Sequence, residues 1–229
     1  MTTGIILLSG GKGTRMKLST PKQYLPLLEK TVVEHSFDLF LSIEEISEIV
    51  VVCSPEWHPI FSRPHARIPI SFASPGKRRQ DSLWNGLQKL SPHTNHVCIH
   101  DAARPCITEN LVKHVIKAAR QHGAATLGVP IKYTVKEGSQ DGFINKTLNR
   151  ENLWEAQTPQ SATLKSLHTG FSLVQEKNLS ITDDVSIIEL LKLPIKLVLG
   201  CHKNIKITTK SDLAIAENFL INQKPLLSR

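Results

Sequence analysis

The fold of this chain is decided by residues 4–27, which read GIILLSGGKGTRMKLSTPKQYLPL. The stretch opens with four apolar residues at 5–8, a run too short to cross a membrane and typical of a buried strand. The strand ends in a loop with three glycines in four positions, Gly10, Gly11 and Gly13. There the backbone can turn sharply and approach a ligand without a Cβ in the way.

Positive side chains accompany this glycine loop. Lys12, Arg15 and Lys17 lie in or beside it, and Lys22 follows on a turn stiffened by Pro21. Consecutive backbone amides in such a loop can converge on an anion, and the cations add charge beside them. The stretch therefore predicts a phosphate site at the carboxyl end of the first strand.

Two common nucleotide loops do not fit this stretch. A P-loop closes with Gly-Lys-Ser/Thr, an ending that is absent here. The dinucleotide fingerprint needs a third glycine, where Met16 stands, and an acidic residue about 20 positions further on. The next apolar run ends in Ser54 and Pro55 without a carboxylate for a ribose. The loop is therefore of a third kind.

Composition restricts the class of partner. The 229 residues suit one large domain, and 40% hydrophobic residues are ordinary for a soluble protein with a core. The 28 basic and 20 acidic residues give a net charge of +8, yet no dense basic block occurs and aromatic residues make up 5%. Because the positive charge lies in loops, we expect phosphorylated small molecules as ligands, and neither nucleic acid nor a membrane.

The cysteines indicate a reducing compartment. All four are widely scattered, and two lie inside apolar strand-like runs, where buried free thiols are common. No signal-peptide pattern precedes residue 5, and no apolar run is long enough for a membrane span. We therefore expect reduced thiols and a cytoplasmic protein.

Apolar runs alternate with helical patterns up to Pro130. Capping signals mark the helices, such as Thr31 followed by Glu34, and Thr108 before a helix that ends at Gly123. The alternation predicts an α/β fold, with three Rossmann-like layers around a mostly parallel sheet. We predict strands at 5–8, 46–53, 67–72, 96–100, 124–129 and 195–199, and late helices at 164–176, at 183–191 and after Thr209.

A second glycine turn and one carboxylate are further candidates for the site. Residues 74–82 read SPGKRRQDS and open a helix. With Gly76 and Ser82, this turn could bind an anion or the polar edge of a base. The alternative is an ordinary capped helix with solvated charges. Asp101 lies at the carboxyl end of a predicted strand. Open α/β sheets bind their ligands outside the carboxyl ends of their strands. We expect Asp101 to bind Mg²⁺ or a ligand hydroxyl, or else to shape its turn, and Arg104 to pair with it.

The alternation breaks after Pro130. Residues 131–148 alternate like strands around a GSQDG loop, which indicates a hairpin. A projecting hairpin has too little core of its own, and a second copy of the chain would cover it. We therefore expect one domain over 1–229 with a projecting β-arm at 131–158 that forms a homodimer.

Seven motifs follow one another in an order that resembles one known family. They are SGGKGTRM at 9–16, PKQYL at 21–25, HDAARP at 100–105, LNRENLW at 148–154, QTPQ at 157–160, TDD at 182–184 and NIKIT at 204–208. Each is weak alone, but together they resemble the 2-C-methyl-D-erythritol 4-phosphate cytidylyltransferases over nearly the whole chain. The resemblance implies a nucleotidyltransferase fold, CTP and a polyol phosphate as substrates, and Mg²⁺ as cofactor.

The resemblance also implies residue roles. Arg15 and Lys22 are the implied catalytic residues, which stabilise charge on the α-phosphate. The implied CTP site comprises Ser9, Gly10, Gly11, Lys12, Gly13, Gly76, Ser82 and Asp101. The implied polyol phosphate site comprises Asp101 and Lys206 with Arg150 and Thr158 from the partner subunit's arm, and Asp101 is the implied metal ligand.

Two departures from the family pattern stand out. The loop begins Ser-Gly-Gly where relatives usually show Ala-Ala-Gly. An acidic residue is common just before Asn-Ile-Lys, where this chain has Cys201, His202 and Lys203. We therefore expect Asp101 to be the only protein carboxylate near the metal.

Three other functions are compatible with parts of the sequence. A ribitol 5-phosphate cytidylyltransferase shares the glycine loop, the PKQ motif and the ending. Residues 100–105 favour the methylerythritol reading, because ribitol enzymes tend to carry bulkier or glycine variants there. A hexose 1-phosphate nucleotidyltransferase is suggested by the glycine string alone. A basic nucleic-acid-binding module is disfavoured because the positive charge follows no helix or stripe.

Overall fold

A computed structural model describes residues 1–11, 13, 16 and 18–222. Short 3-10 segments lie at Lys22–Tyr24 and Pro55–Phe61. The strands are β1 Thr3–Leu8, β2 Pro26–Leu27, β3 Lys30–Thr31, β4 Ile46–Val52, β5 Ile70–Ala73, β6 His96–Asp101, β7 Ala124–Pro130, β8 Lys136–Gly138, β9 Ile144–Thr147, β10 Trp154–Thr163 and β11 Lys196–Leu199. The helices are α1 Val32–Ser42, α2 Arg79–Leu87, α3 Glu109–His122, α4 Leu164–Glu176, α5 Ser186–Leu190 and α6 Lys210–Ile221.

Seven strands form one central sheet, in the order β11-β7-β10-β6-β1-β4-β5. Strand β10 runs antiparallel to β6 and β7, and the other pairings in this sheet are parallel. The register sets Leu8 of β1 beside Val52 of β4 and Asp101 of β6, so three strands end at one edge. The predicted α/β fold with a mostly parallel sheet is confirmed.

Strand β1 explains why the sheet has a helical layer on each face. Its side chains alternate, so Ile5 and Leu7 pack into one apolar cluster with Phe37 of α1, while Ile6 packs into another with Leu83 of α2. All of these side chains are fully buried. Burial on both faces accounts for the unbroken apolar run, as in other parallel sheets.

Helix boundaries follow local signals in most places. At the start of α1, the Glu34 carboxylate accepts a hydrogen bond from the Thr31 amide at 2.8 Å, which is the predicted capping box. Helix α3 ends at Gly123, whose φ of 89° suits glycine. The helix predicted at 183–191 begins only at Ser186, because the Asp183 carboxylate accepts from the Ser186 amide at 3.0 Å.

The arm contains a two-stranded hairpin of β8 and β9 that is separate from the central sheet. Most residues from 131 to 153 are exposed, whereas residues 157–162 of β10 are buried in the central sheet. The hairpin expected from the alternation is therefore present, and the chain re-enters the core before the predicted end of the arm. No helix in the described part of the chain has the length and apolar character needed to cross a lipid bilayer.

Candidate active site

An open cleft of about 860 Å³ lies where β1, β4 and β6 end. This is the edge at which parallel α/β sheets bind ligands. The glycine loop, the turn before α2 and the segment after β11 surround the cleft. Its lining includes these predicted site residues: Ser9, Gly10, Gly11, Gly13, Lys22, Gly76, Ser82, Asp101 and Lys206. Lys12 and Arg15, also predicted, lie outside the described residues, as does Lys17.

Two glycines of the loop are required by geometry. A Cβ on Gly10 would lie 2.5 Å from the Cβ of Pro75, so the loop touches the turn before α2. Gly13 has a φ of 62°, in the left-handed region that glycine adopts without strain. A side chain at either position would displace the loop from the cleft.

The turn at Lys22–Tyr24 lies under the glycine loop. Lys22 lines the cleft. The Gln23 amide donates to the Ser9 carbonyl and the Gly11 carbonyl, each at 2.8 Å. The Ser9 hydroxyl donates to the Tyr24 oxygen at 2.9 Å, so it faces that ring, although the sequence suggested a contact with CTP.

The turn before α2 is shaped by Ser82. The Gly76 amide donates to the Ser82 hydroxyl oxygen at 2.9 Å, and that hydroxyl donates in turn to the Arg78 carbonyl at 3.2 Å. A Cβ on Gly76 would lie 2.3 Å from the Cβ of Asp81, which excludes larger residues. The turn therefore presents backbone, without a side chain at Gly76, to the cleft.

Asp101 is the carboxylate on the cleft floor. Its Oδ1 accepts from Arg79 Nη2 at 2.8 Å and Nε at 3.1 Å, and its Oδ2 accepts from Lys206 Nζ at 2.5 Å. Burial alone would raise the pKa of Asp101, but Arg79 and Lys206 outweigh it and hold this pKa well below its usual range. Asp101 is therefore ionised.

Arg79 also pairs with a second, more deeply buried carboxylate. Its Nη2 donates to Asp184 Oδ2 at 2.8 Å, and its Nη1 donates to Oδ1. Asp184 is 1% exposed, and burial raises its pKa. Neither the role of Arg79 nor that of Asp184 was predicted from the sequence: Asp184 was expected in the first turn of a helix, and neither Arg78 nor Arg79 was a candidate. The TDD motif was the available signal.

Arg104 contradicts the prediction that it pairs with Asp101. Its Nη1 donates to the Asn204 carbonyl at 2.6 Å, and Arg79 takes the expected place beside Asp101. Arg104 instead lines a smaller pocket of about 260 Å³. Lys206 lines both this pocket and the main cleft.

The structure separates the two residues predicted on the partner's arm. Thr158 is 5% exposed within β10 of its own subunit, where its hydroxyl oxygen accepts from the Asp101 amide at 3.1 Å. The Thr158 hydroxyl thus holds the backbone of Asp101 in its own subunit. The expectation that Thr158 reaches a partner's pocket is wrong. Arg150 lies on the exposed arm and donates to the Lys132 carbonyl. It does not line the cleft of its own subunit.

The Asp101 carboxylate suits a metal that arrives with phosphate. No group of three or more His, Cys, Asp or Glu side chains within the described ranges could hold a metal alone. Two ionised oxygens offer about four acceptor positions, and donors from Arg79 and Lys206 occupy three. One position remains, and Mg²⁺ commonly takes one or two carboxylates together with substrate phosphates and water.

Comparisons with known proteins agree with this site. A family model described as "IspD: 2-C-methyl-D-erythritol 4-phosphate cytidylyltransferase" matches residues 3–222. The chain is similar to the chloroplastic enzyme of that name from Oryza sativa subsp. japonica, with 48% identity over 97% of this chain and 75% of the relative. A relative of that name from Chlamydia pneumoniae is 40% identical over 95% of this chain and 99% of its own length.

A solved structure gives the same result. The enzyme of that name from Francisella tularensis superposes with a TM-score of 0.82 at 30% identity, covering 96% of this chain and all of that one. The sequence match, the shared fold and the cleft at the strand ends are consistent with one another. The chain belongs to the 2-C-methyl-D-erythritol 4-phosphate cytidylyltransferase family.

Proposed function

We propose that the protein transfers CMP from CTP to 2-C-methyl-D-erythritol 4-phosphate, a step of isoprenoid precursor synthesis by the non-mevalonate pathway. A phosphate oxygen of the polyol attacks the α-phosphorus of CTP in line, and the bond from that phosphorus to the bridging oxygen breaks. The products are 4-diphosphocytidyl-2-C-methyl-D-erythritol and pyrophosphate. The observation that carries this proposal is the meeting of Lys22, Asp101 and Lys206, from remote parts of the chain, in one cleft.

The cations bring two polyanions together. Lys22 faces the cleft beside the glycine loop and is assigned the charge that develops around the α-phosphate, together with Arg15. Lys206 lies at the junction with the Arg104 pocket, so it is assigned the phosphate of the polyol. Fixed cations need no reorganisation during the reaction, so positioning and charge neutralisation supply most of the catalysis.

The remaining groups orient the substrates. The Gly76 turn, shaped by Ser82, is assigned the cytosine and its ribose, because it presents polar backbone at the rim of the cleft. The one remaining acceptor position of Asp101 is assigned to Mg²⁺ or to a substrate hydroxyl. When bound with CTP, Mg²⁺ supplies charge neutralisation to the phosphates.

We further propose one domain over 1–229 that dimerises through the arm at 131–158. Tyr133 and Phe143 support this assembly, because both are large apolar side chains on the arm and are 77% and 75% exposed. In a dimer, the arm is assigned to carry Arg150 to the partner's polyol phosphate.

We place the reaction in the cytoplasm, a reducing compartment. Cys53, Cys98 and Cys201 carry free thiols, and Cys53 and Cys98 are buried. Burial raises the pKa of the Cys53 thiol to about 12, which keeps that sulfur protonated and unreactive. Free buried thiols are typical of reducing compartments.

Pyrophosphate release tests the proposed reaction. The wild type should release pyrophosphate from CTP only with Mg²⁺ and 2-C-methyl-D-erythritol 4-phosphate. Lys22→Ala should lower kcat by about 10²–10³, as for the loss of one preorganised donor. Arg150→Ala should mainly raise the KM for the polyol phosphate. Lys165→Ala, an exposed change on α4, is the matched control. Equal or faster turnover of ribitol 5-phosphate, or indifference to the base of the nucleotide, would contradict the assignment.

A further inference from the structure

The turn at Lys22–Tyr24 contains two side chains that face away from solvent. Gln23 is 3% exposed and Tyr24 is 4% exposed, although both carry polar groups. A buried polar group without a partner costs free energy, so both must be hydrogen-bonded. Their partners lie in the glycine loop, twelve to fifteen positions earlier in the chain.

Gln23 holds two carbonyls of that loop. A side-chain amide has two N–H donors, and here one bonds the Ser9 carbonyl and the other bonds the Gly11 carbonyl. Within a planar trans peptide the carbonyl and the next amide point in opposite directions. Holding the Ser9 carbonyl towards Gln23 therefore turns the Gly10 amide away from Gln23.

Tyr24 also forms hydrogen bonds with Ser9. Its hydroxyl donates to the Ser9 carbonyl at 2.9 Å and accepts from the Ser9 hydroxyl at 2.9 Å. Burial raises the pKa of Tyr24, so the phenol stays neutral and keeps its proton for donation. The Tyr24 ring stacks on Trp57, with ring centroids 3.9 Å apart and ring planes inclined by 7°. This stack packs Tyr24 against the 3-10 segment that follows β4.

The loop is also anchored on its other side. The Ser9 amide donates to the Val52 carbonyl of β4 at 2.9 Å. The carbonyl and amide of Ser9 are thus both held, so the start of the loop is fixed from two sides. Lys22, on the same three-residue turn, lines the cleft that the loop borders.

We infer that Gln23 and Tyr24 are positioning residues that fix the glycine loop for the triphosphate of the nucleotide. This inference rests on the proposed function and deepens it. The side-chain amide of Gln23 and the hydroxyl of Tyr24 need not contact CTP, because both already form hydrogen bonds with the loop. Without them, the Ser9 and Gly11 carbonyls could turn, and the amides that meet the phosphates would turn with them.

Isothermal titration calorimetry with CTP and Mg²⁺ tests the inference. Gln23→Glu keeps the shape but faces an anionic oxygen towards two carbonyls, and Tyr24→Phe keeps the stacked ring but removes the hydroxyl. We expect Gln23→Glu to raise the Kd of CTP about tenfold or more, and Tyr24→Phe about three- to tenfold. The KM for the polyol phosphate should change less than about twofold, since the loop lies at the nucleotide.

Gln80→Glu is the matched control. Gln80 is also a buried glutamine, and its amide bonds the Leu179 carbonyl at 3.0 Å and the Ile181 amide at 3.0 Å, away from the glycine loop. It should lose thermal stability as Gln23→Glu does, yet retain CTP affinity. If Gln23→Glu does not fold, Tyr24→Phe decides.

Three outcomes separate the two proposals. Failure of the wild type to bind CTP refutes the proposed function. Normal binding by the wild type with unchanged Kd in folded Gln23→Glu and Tyr24→Phe refutes the positioning role alone. If the variants raise the KM values for CTP and for the polyol phosphate equally, the positioning role is also refuted, because an equal rise would indicate a general structural effect.

Discussion

Removing Arg79 should destabilise the protein by about 3–5 kcal/mol, as when one partner of a buried ion pair is lost. The variant Arg79→Met keeps an apolar chain of similar length but leaves Asp184, 1% exposed, without the guanidinium that pairs with it. For a chain of this size, this loss corresponds to a fall of roughly 6–20 °C in the thermal midpoint. Asp101 keeps Lys206 as a partner, so the main cost comes from Asp184.

A second substitution separates stability from activity. In Arg79→Met/Asp184→Asn the buried charge is gone, so most of the lost stability should return. Activity should not return, because Asp101 still lacks Arg79 on its Oδ1. Arg78→Met is the matched stability control: its side chain is 51% exposed, and its pair with Asp81 lies at the surface. It should leave the thermal midpoint nearly unchanged.

Urea unfolding at one fixed protein concentration gives the free energies, and pyrophosphate release gives kcat/KM. The reasoning is refuted if Arg79→Met unfolds within about 1 kcal/mol of the wild type, the range expected for an exposed pair. It is also refuted if the double variant is no more stable than Arg79→Met, because the buried charge would then not be the cause of the loss.

Two further predictions follow from the packing and the titration of buried groups. Gly10→Ala should cost about 1–3 kcal/mol and raise the KM for CTP, because its Cβ would lie 2.5 Å from the Pro75 Cβ. Adding Pro75→Gly should restore much of both, and no recovery in melting curves would contradict the contact. Burial lowers the pKa of His100 to about 4, below the ordinary value near 6.5. As the pH falls, His100 is protonated near pH 6.5 in the unfolded state but only near pH 4 in the folded state. Its full contribution to stability is therefore present above pH 6.5, and the free energy of unfolding should fall by about 3 kcal/mol towards pH 4. In urea unfolding at several pH values, His100→Gln should lose most of the fall in stability between pH 6.5 and 4, and an unchanged fall would disprove its origin in His100.

Strand β10 shows where prediction from sequence failed. Its central residues include Gln157, Thr158, Gln160 and Ser161, which are polar and yet buried. Apolar periodicity therefore gives no signal. Burial is tolerated at Gln160 and Ser161 because their backbone pairs with β6 and β7 on both sides, and at Thr158 because its carbonyl accepts from the Asn204 side-chain amide at 2.9 Å. Gln160 shows how such a side chain is paired, because its Oε1 accepts from the Asp184 backbone amide at 2.9 Å.

The sequence by itself determined the local structure: β1 as an apolar run, the glycine loop after it, and the capping boxes at Thr31 and Thr209. These features depend on neighbours within a few positions, so pattern and propensity suffice to predict them. Tertiary structure alone decided which cation meets which carboxylate. Arg79 and Asp184 lie 105 positions apart, and nothing local distinguishes Arg79 from Arg78 beside it. Burial makes the difference, because only a desolvated charge must be paired, and burial is a property of the assembled sheet and its loops.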